Sequence, residues 1–187
     1  MSTSIGGVRR QSVHLAMVAC FALTSVARAQ EAPAPENAWL EQFTGEWETT
    51  SEFSVGPGVP PLTSSGTMSS RMLGGHWVVS EMSAEMMGTK IEAVQTLGYD
   101  AEKQKYIGTW VDSMASYLWK YEGSVDETGK KLTLEAEGPN FMAGGELTKF
   151  RDAYEFKSPN HFVATSSMLG ESGEWVTFMT GDFRRKK

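Results

Sequence analysis

The stretch from Gly98 to Gly138 (GYDAEKQKYIGTWVDSMASYLWKYEGSVDETGKKLTLEAEG) limits the fold more than any other part of this chain. Apolar and polar residues alternate along it, and turn-forming residues punctuate it at short, even intervals. A period of two belongs to half-buried β-strands. Lys105 to Asp112, Ser116 to Val125 and Lys131 to Glu137 therefore read as three strands. Asp126-Glu127-Thr128-Gly129 turns the chain between the last two, with Gly129 supplying a positive φ.

The same grammar continues in both directions. Trp47 to Val55 reads as a strand closed by Gly56-Pro57-Gly58 and Pro60-Pro61. Thr63 to Leu73, His76 to Met86 and Lys90 to Tyr99 follow. Glu146 to Phe156, His161 to Met168 and Trp175 to Arg184 complete the set, with Pro159-Asn160 and Glu171-Ser172-Gly173 as turns. One helix signal stands before them. Asn37 is placed to cap a short helix running through Phe43, with Trp39, Leu40 and Phe43 on one side.

About ten short strands joined by tight turns predict an all-β, antiparallel up-and-down barrel of the calycin or lipocalin kind, with a short N-terminal helix. An open sheet would leave exposed edges, and a sandwich would need long Greek-key crossovers that the sequence lacks.

Alternation also assigns faces. Tyr117, Trp119 and Tyr121 share one side of their strand, and Leu118, Lys120 and Glu122 the other, so the aromatic side points inward. A two-residue turn at Met114-Ala115 would set Trp110 opposite Trp119, and Asp112 opposite Tyr117. Trp77, Val79 and Glu81 share a face, as do His76, Val78, Ser80 and Met82, and either set fits the interior. Phe150, Asp152, Tyr154 and Phe156 share one side of the eighth strand. Arg151 is on the other and faces out, unless a bulge near Gly144-Gly145 turns it in.

The N-terminus reads as an export signal. Arg9 and Arg10 precede an apolar run from Val13 to Leu23, too short to span a bilayer, and Ala27-Arg28-Ala29 resembles a peptidase site. The expected division is a signal over 1–29, a Pro- and Ala-rich disordered lead-in over 30–37, and one barrel domain over 38–187, in a periplasmic or secreted protein. Alternatives are a twin-arginine signal at Arg9-Arg10, a lipidated Cys20 in Met17-Val18-Ala19-Cys20, and an uncleaved anchor. No later run is long enough to cross a membrane.

Loss of the signal removes Arg9, Arg10 and Arg28 from 17 basic residues, leaving 14 against 23 acidic ones and a net charge of −9. That sign argues against nucleic acid and anionic membranes as partners. Cys20 is the only cysteine, so the exported chain has no disulfide and no thiolate nucleophile. No phosphate loop, dinucleotide fingerprint or nucleophile elbow is present. His76 and His161 sit in different strands without ligand spacing, and the methionines suit core filling better than copper, so no metal or cofactor is implied.

Three readings stay open. The first is a binding barrel holding a small apolar or amphipathic molecule. Its candidate contacts are Trp77, Glu81, Trp110, Asp112, Tyr117, Trp119, Tyr121 and Arg151. The second is a hydrolase or isomerase using interior carboxylates such as Asp112 and Glu81. The third is a filled structural barrel. The sequence leaves the oligomeric state open.

Several stretches carry a family resemblance. They are Arg71-Met72-Leu73-Gly74-Gly75 with Trp77, Gly98-Tyr99-Asp100 with Lys105-Tyr106, Thr109 to Met114, Gly129-Lys130 and Arg151-Asp152. Together they resemble the bacterial family known as domain of unknown function 1579, from about Ala38 to the C-terminus. That resemblance implies a compact β-barrel and no established activity. Gly45-Glu46-Trp47, after the helix signal, is similar to the Gly-x-Trp signature of lipocalins, although the Thr-Asp-Tyr motif is missing. The similarity implies a Trp at the closed end of the barrel, stacked under a basic residue of the last strand, here Arg184 or Arg185.

Overall fold

A computed structural model describes residues 32–56, 58–141 and 144–187. The expected signal over 1–29, including Arg9, Arg10 and Cys20, lies outside the described residues. A short helix α1 (Asn37–Leu40) runs into a 3-10 turn (Glu41–Phe43). Ten strands follow. They are β1 (Gly45–Phe53), β2 (Leu62–Leu73), β3 (Trp77–Met86), β4 (Thr89–Asp100) and β5 (Lys105–Asp112), then β6 (Ala115–Val125), β7 (Lys131–Pro139), β8 (Leu147–Ser158), β9 (His161–Leu169) and β10 (Trp175–Arg185).

Each strand pairs antiparallel with its neighbours in sequence, and β1 pairs with β10 to close the barrel. Closure runs from Trp47 opposite Arg185 to Phe53 opposite Met179. No edge is left to template aggregation. The connections are the tight turns the sequence marks, and the strand limits fall within about two residues of the expected ones. Among the described residues, no helix is long and apolar enough to cross a membrane.

The N-terminal helix closes one end. Asn37, expected as its cap and as the last residue of a disordered lead-in, is instead buried in its first turn. The turn before it is tied down as well, since Asn37, Ala38 and Trp39 donate backbone hydrogen bonds to Ala34, Pro35 and Glu36. Trp39 Nε1 donates to Gly129 O at 2.8 Å and Tyr106 Oη to Glu36 O at 3.0 Å, pinning the helix across the barrel end. Leu40 and Phe43 point down into it and are buried. Phe43 meets Phe156 at 5.1 Å, Phe162 at 5.4 Å and Tyr154 at 5.4 Å, all edge to face. Such pairs contribute beyond their buried area.

Trp47 is fully buried beneath this cluster, and its indole donates to Phe43 O at 2.8 Å. Of the two arginines expected over it, Arg185 takes the place, with its guanidinium carbon 4.2 Å from the ring centre. Arg184 instead pairs with Asp182 at 2.8 Å on the surface. Arg185 also donates to the carbonyls of Thr44, Gln42 and Pro159. One planar cation thus ties together the 3-10 turn, the start of β1, the β8–β9 turn and the end of β10.

Truncating Trp47 to alanine should cost about 3–5 kcal/mol, the range for large aromatic core deletions. Arg185→Lys should destabilise nearly as much as Arg185→Ala, because an ammonium cannot serve three carbonyls and a ring face together. Urea unfolding of the three variants measures both expectations.

Candidate functional site: a cavity at the open half of the barrel

The half of the barrel away from α1 is not filled. It encloses a cavity of about 280 Å³. Its floor is the upper side of the aromatic cluster, formed by Phe43, Tyr154, Phe162 and Phe183. Its walls come from alternate residues of the strands, including Met68, Met82, Ala93, Trp110, Trp119 and Phe150. Small side chains at Ala84, Ala93 and Ala164 leave the space that larger ones would occupy. Phe141, exposed on the β7–β8 loop, stacks on Phe150 with ring centres 5.7 Å apart and meets Phe178 edge-on at 5.3 Å. These rings stand at the mouth.

The inward assignment of the β6 aromatic face holds. Trp119 and Tyr121 both border the cavity, and Trp110 lies opposite Trp119 as expected. Room for the Trp119 ring depends on Gly138. A methyl placed there would sit 2.2 Å from the indole. Tyr117 lies just beyond, edge-on to Trp119 at 4.9 Å, and its hydroxyl donates to Glu137 O at 3.0 Å. It is not part of the cavity wall.

Asp112 departs from its expected partner. The β5–β6 register shifts between Trp110 and Asp112, so Asp112 faces Ala115 and not Tyr117. The turn sits one residue earlier than expected, and the carboxylate closes it. One oxygen accepts from the Met114 and Ala115 amides at 2.8 and 3.2 Å, and the other from Trp110 Nε1 at 2.8 Å. Asp112 borders the cavity mouth while its hydrogen bonds serve the hairpin and hold the Trp110 ring.

Three other candidates lie outside the cavity. The β7–β8 ladder is regular from Lys131 to Pro139, with no bulge to turn Arg151 inward. Arg151 pairs with Glu135 at 2.6 Å and lies 3.9 Å over the Trp175 ring on the outer surface. On β3 the inward set is Val78, Ser80, Met82 and Ala84. Glu81 therefore faces an external groove with Ser69 and Val94, and Trp77 packs outside over Gly98, where a methyl would lie 2.6 Å from the ring.

The polar centre of the cavity was not among the expected site residues. Asp152, next to Arg151, borders the cavity from β8, and the Tyr121 and Ser166 hydroxyls beside its carboxyl favour its charged form. Below it, Gln95 Nε2 donates to Tyr154 Oη at 2.6 Å, crossing the barrel from β4 to β8. Burial drives the Asp152 carboxyl above its usual range, and its two hydroxyl donors offset only part of that rise. Burial, with Asp152 nearby, also pushes the Tyr121 phenol well above its ordinary value. Alternation had already put Asp152 among Phe150, Tyr154 and Phe156, and that inward company was the available signal.

A carboxyl with a raised folded pKa stabilises fully below its unfolded pKa of about 3.9, and loses that contribution as pH rises through the folded value. Stability of the natural protein should fall over that window by up to about 1.4 kcal/mol per pH unit. Asp152→Asn lacks this component. Unfolding measured from pH 3 upward should show the variant gaining on the natural protein with rising pH, then levelling off. A difference that does not change with pH would refute the placement of the carboxyl.

Comparison with known proteins agrees with this architecture. The structure of Rv2717c from M. tuberculosis superposes with a TM-score of 0.61 at 12% identity, over 83% of this chain and 100% of that one. The S-type phycobiliprotein lyase CPES from Guillardia theta superposes with a TM-score of 0.56 at 10% identity, over 81% and 93%. At such identities the likeness is one of fold. No curated protein matches the chain. The family model described as a protein of unknown function, DUF1579, matches residues 32–185, and the chain belongs to that family.

Proposed function

We propose that this protein binds a small, partly apolar molecule inside its barrel. The observation that carries the reading is the cavity of about 280 Å³, walled by aromatic and aliphatic side chains around a few convergent polar groups. That combination characterises ligand sites, and the volume lies just under the roughly 300–1,000 Å³ common for drug-sized molecules. A barrel without a ligand role gains by filling such a space, since each missing contact costs dispersion energy and burial. The enzyme reading is weaker. The Asp112 oxygens are engaged by the hairpin and the Trp110 indole, and Glu81 shares with Asp112 an external groove and not the cavity.

The neutral probe N-phenyl-1-naphthylamine should bind with a rise in its fluorescence and a change in tryptophan emission from Trp110 and Trp119. Ala93→Trp, which fills the cavity, should abolish both signals while far-ultraviolet circular dichroism stays that of the barrel. A probe that binds both forms equally would refute the reading.

We also propose export to the periplasm or medium, on the strength of Arg9-Arg10, the apolar run and Ala27-Arg28-Ala29. Expression of the full chain in a bacterium should yield a processed protein beginning at Gln30. A first residue at Cys20 bearing lipid would replace this with a membrane-anchored form.

A further inference from the structure

We propose that the ligand is an organic cation, an amphipathic molecule whose protonated amine is held by Asp152 and whose apolar part fills the aromatic walls. This inference rests on the binding reading above and names its chemistry.

The charges that face the cavity are all of one sign. Among the described residues bordering it, the ionisable acids are Asp112 and Asp152, and there is no Lys, Arg or His. The polar neighbours of Asp152 are the Tyr121 phenol and the Ser166 hydroxyl. Those of Asp112 are the Trp110 indole and two backbone amides. Each donor is neutral. An enclosed carboxylate without a counter-cation is disfavoured, and a ligand ammonium supplies the missing charge.

The basic residue nearest to Asp152 in sequence confirms the asymmetry. Arg151 points the opposite way and is committed to Glu135 and Trp175.

The walls fit the same class. Aromatic faces carry negative quadrupole density and attract cations, most strongly when desolvated. Trp110, Trp119, Tyr121 and Phe150 line the same cavity as the carboxyl. The chain as a whole carries a formal net charge of −6, which favours the approach of cations. A fatty carboxylate would meet like charge at Asp152 and at Asp112, with no cation to receive it.

Octylammonium, 1-octanol and octanoate share one chain and differ in head-group charge. Their affinities can be read at pH 7 by displacement of N-phenyl-1-naphthylamine. Octylammonium should bind at least tenfold more tightly than octanoate, about 1.4 kcal/mol. Asp152→Asn should remove most of that preference and leave 1-octanol unchanged. A second measurement needs no variant. Affinity of the natural protein for octylammonium should fall as pH drops through the Asp152 titration, while that for 1-octanol stays level. The groups facing Asp152 are Tyr154 on its own strand, Tyr121 from β6 and Ser166 from β9, with Asp112 at the mouth. Asp112 is the other carboxylic acid bordering the cavity, and Asp112→Asn should keep the pH effect.

Equal or tighter binding of octanoate overturns the inference and leaves the cavity reading intact. So does an ammonium preference that survives Asp152→Asn in a folded protein. Failure of all three compounds and of the neutral probe overturns both.

Discussion

The pairing of β1 with β10 is the constraint on which the rest of this structure depends. A meander of ten strands has two edges until those strands meet, and the meeting is held at its end by Arg185 over Trp47. Coulombic, stacking and hydrogen-bonding contributions converge on one side chain there. The ring needs a cation, three carbonyls need donors, and a planar guanidinium satisfies both. Because Trp47 also donates to Phe43 O, the same point fixes the 3-10 turn that plugs the barrel. Closure of the sheet and closure of one end are therefore a single event.

That plug divides the interior. Below, Phe43, Phe156, Phe162 and Phe183 pack ring against ring, with Phe162 and Phe183 stacked at 4.4 Å. Above, alanines and serines replace the rings on β3, β4 and β9, and the walls draw apart into the cavity. The bond from Gln95 to Tyr154 lies at the boundary, joining opposite strands where the packed half ends. The dense half supplies stability, and the open half can then be left underfilled.

The architecture was legible because it rests on local rules. Period-two alternation and turn chemistry locate ten strands, whereas the arginine clamp was implied by the resemblance of Gly45-Glu46-Trp47 to the lipocalin signature. The inward face of β6 followed from Lys120 and Glu122, which demand solvent. Alternation was less decisive on β3, where Val78 and Val79 are adjacent and either face offers apolar residues. It also missed the shift after Trp110, since a bulge depends on a carboxylate capturing two turn amides and not on any pattern of hydrophobicity. Asn37 suits a cap by residue type, yet it lies buried within the helix at the barrel end.

Asp152 shows why a site is harder to read than a fold. Its neighbour Arg151 was the more conspicuous candidate, and alternation alone put the arginine outside and the aspartate inside. Charge type alone singles out the arginine, whereas the fold reveals which charge lacks an opposite. A neutral residue at this position would avoid the cost of an enclosed carboxyl beside the Tyr121 and Ser166 hydroxyls. The barrel instead carries an acid in its open half, among aromatic side chains and with no Lys, Arg or His among the described residues bordering the cavity. A packed core has no need of such a group, and its cost falls when a positively charged guest shares the cavity.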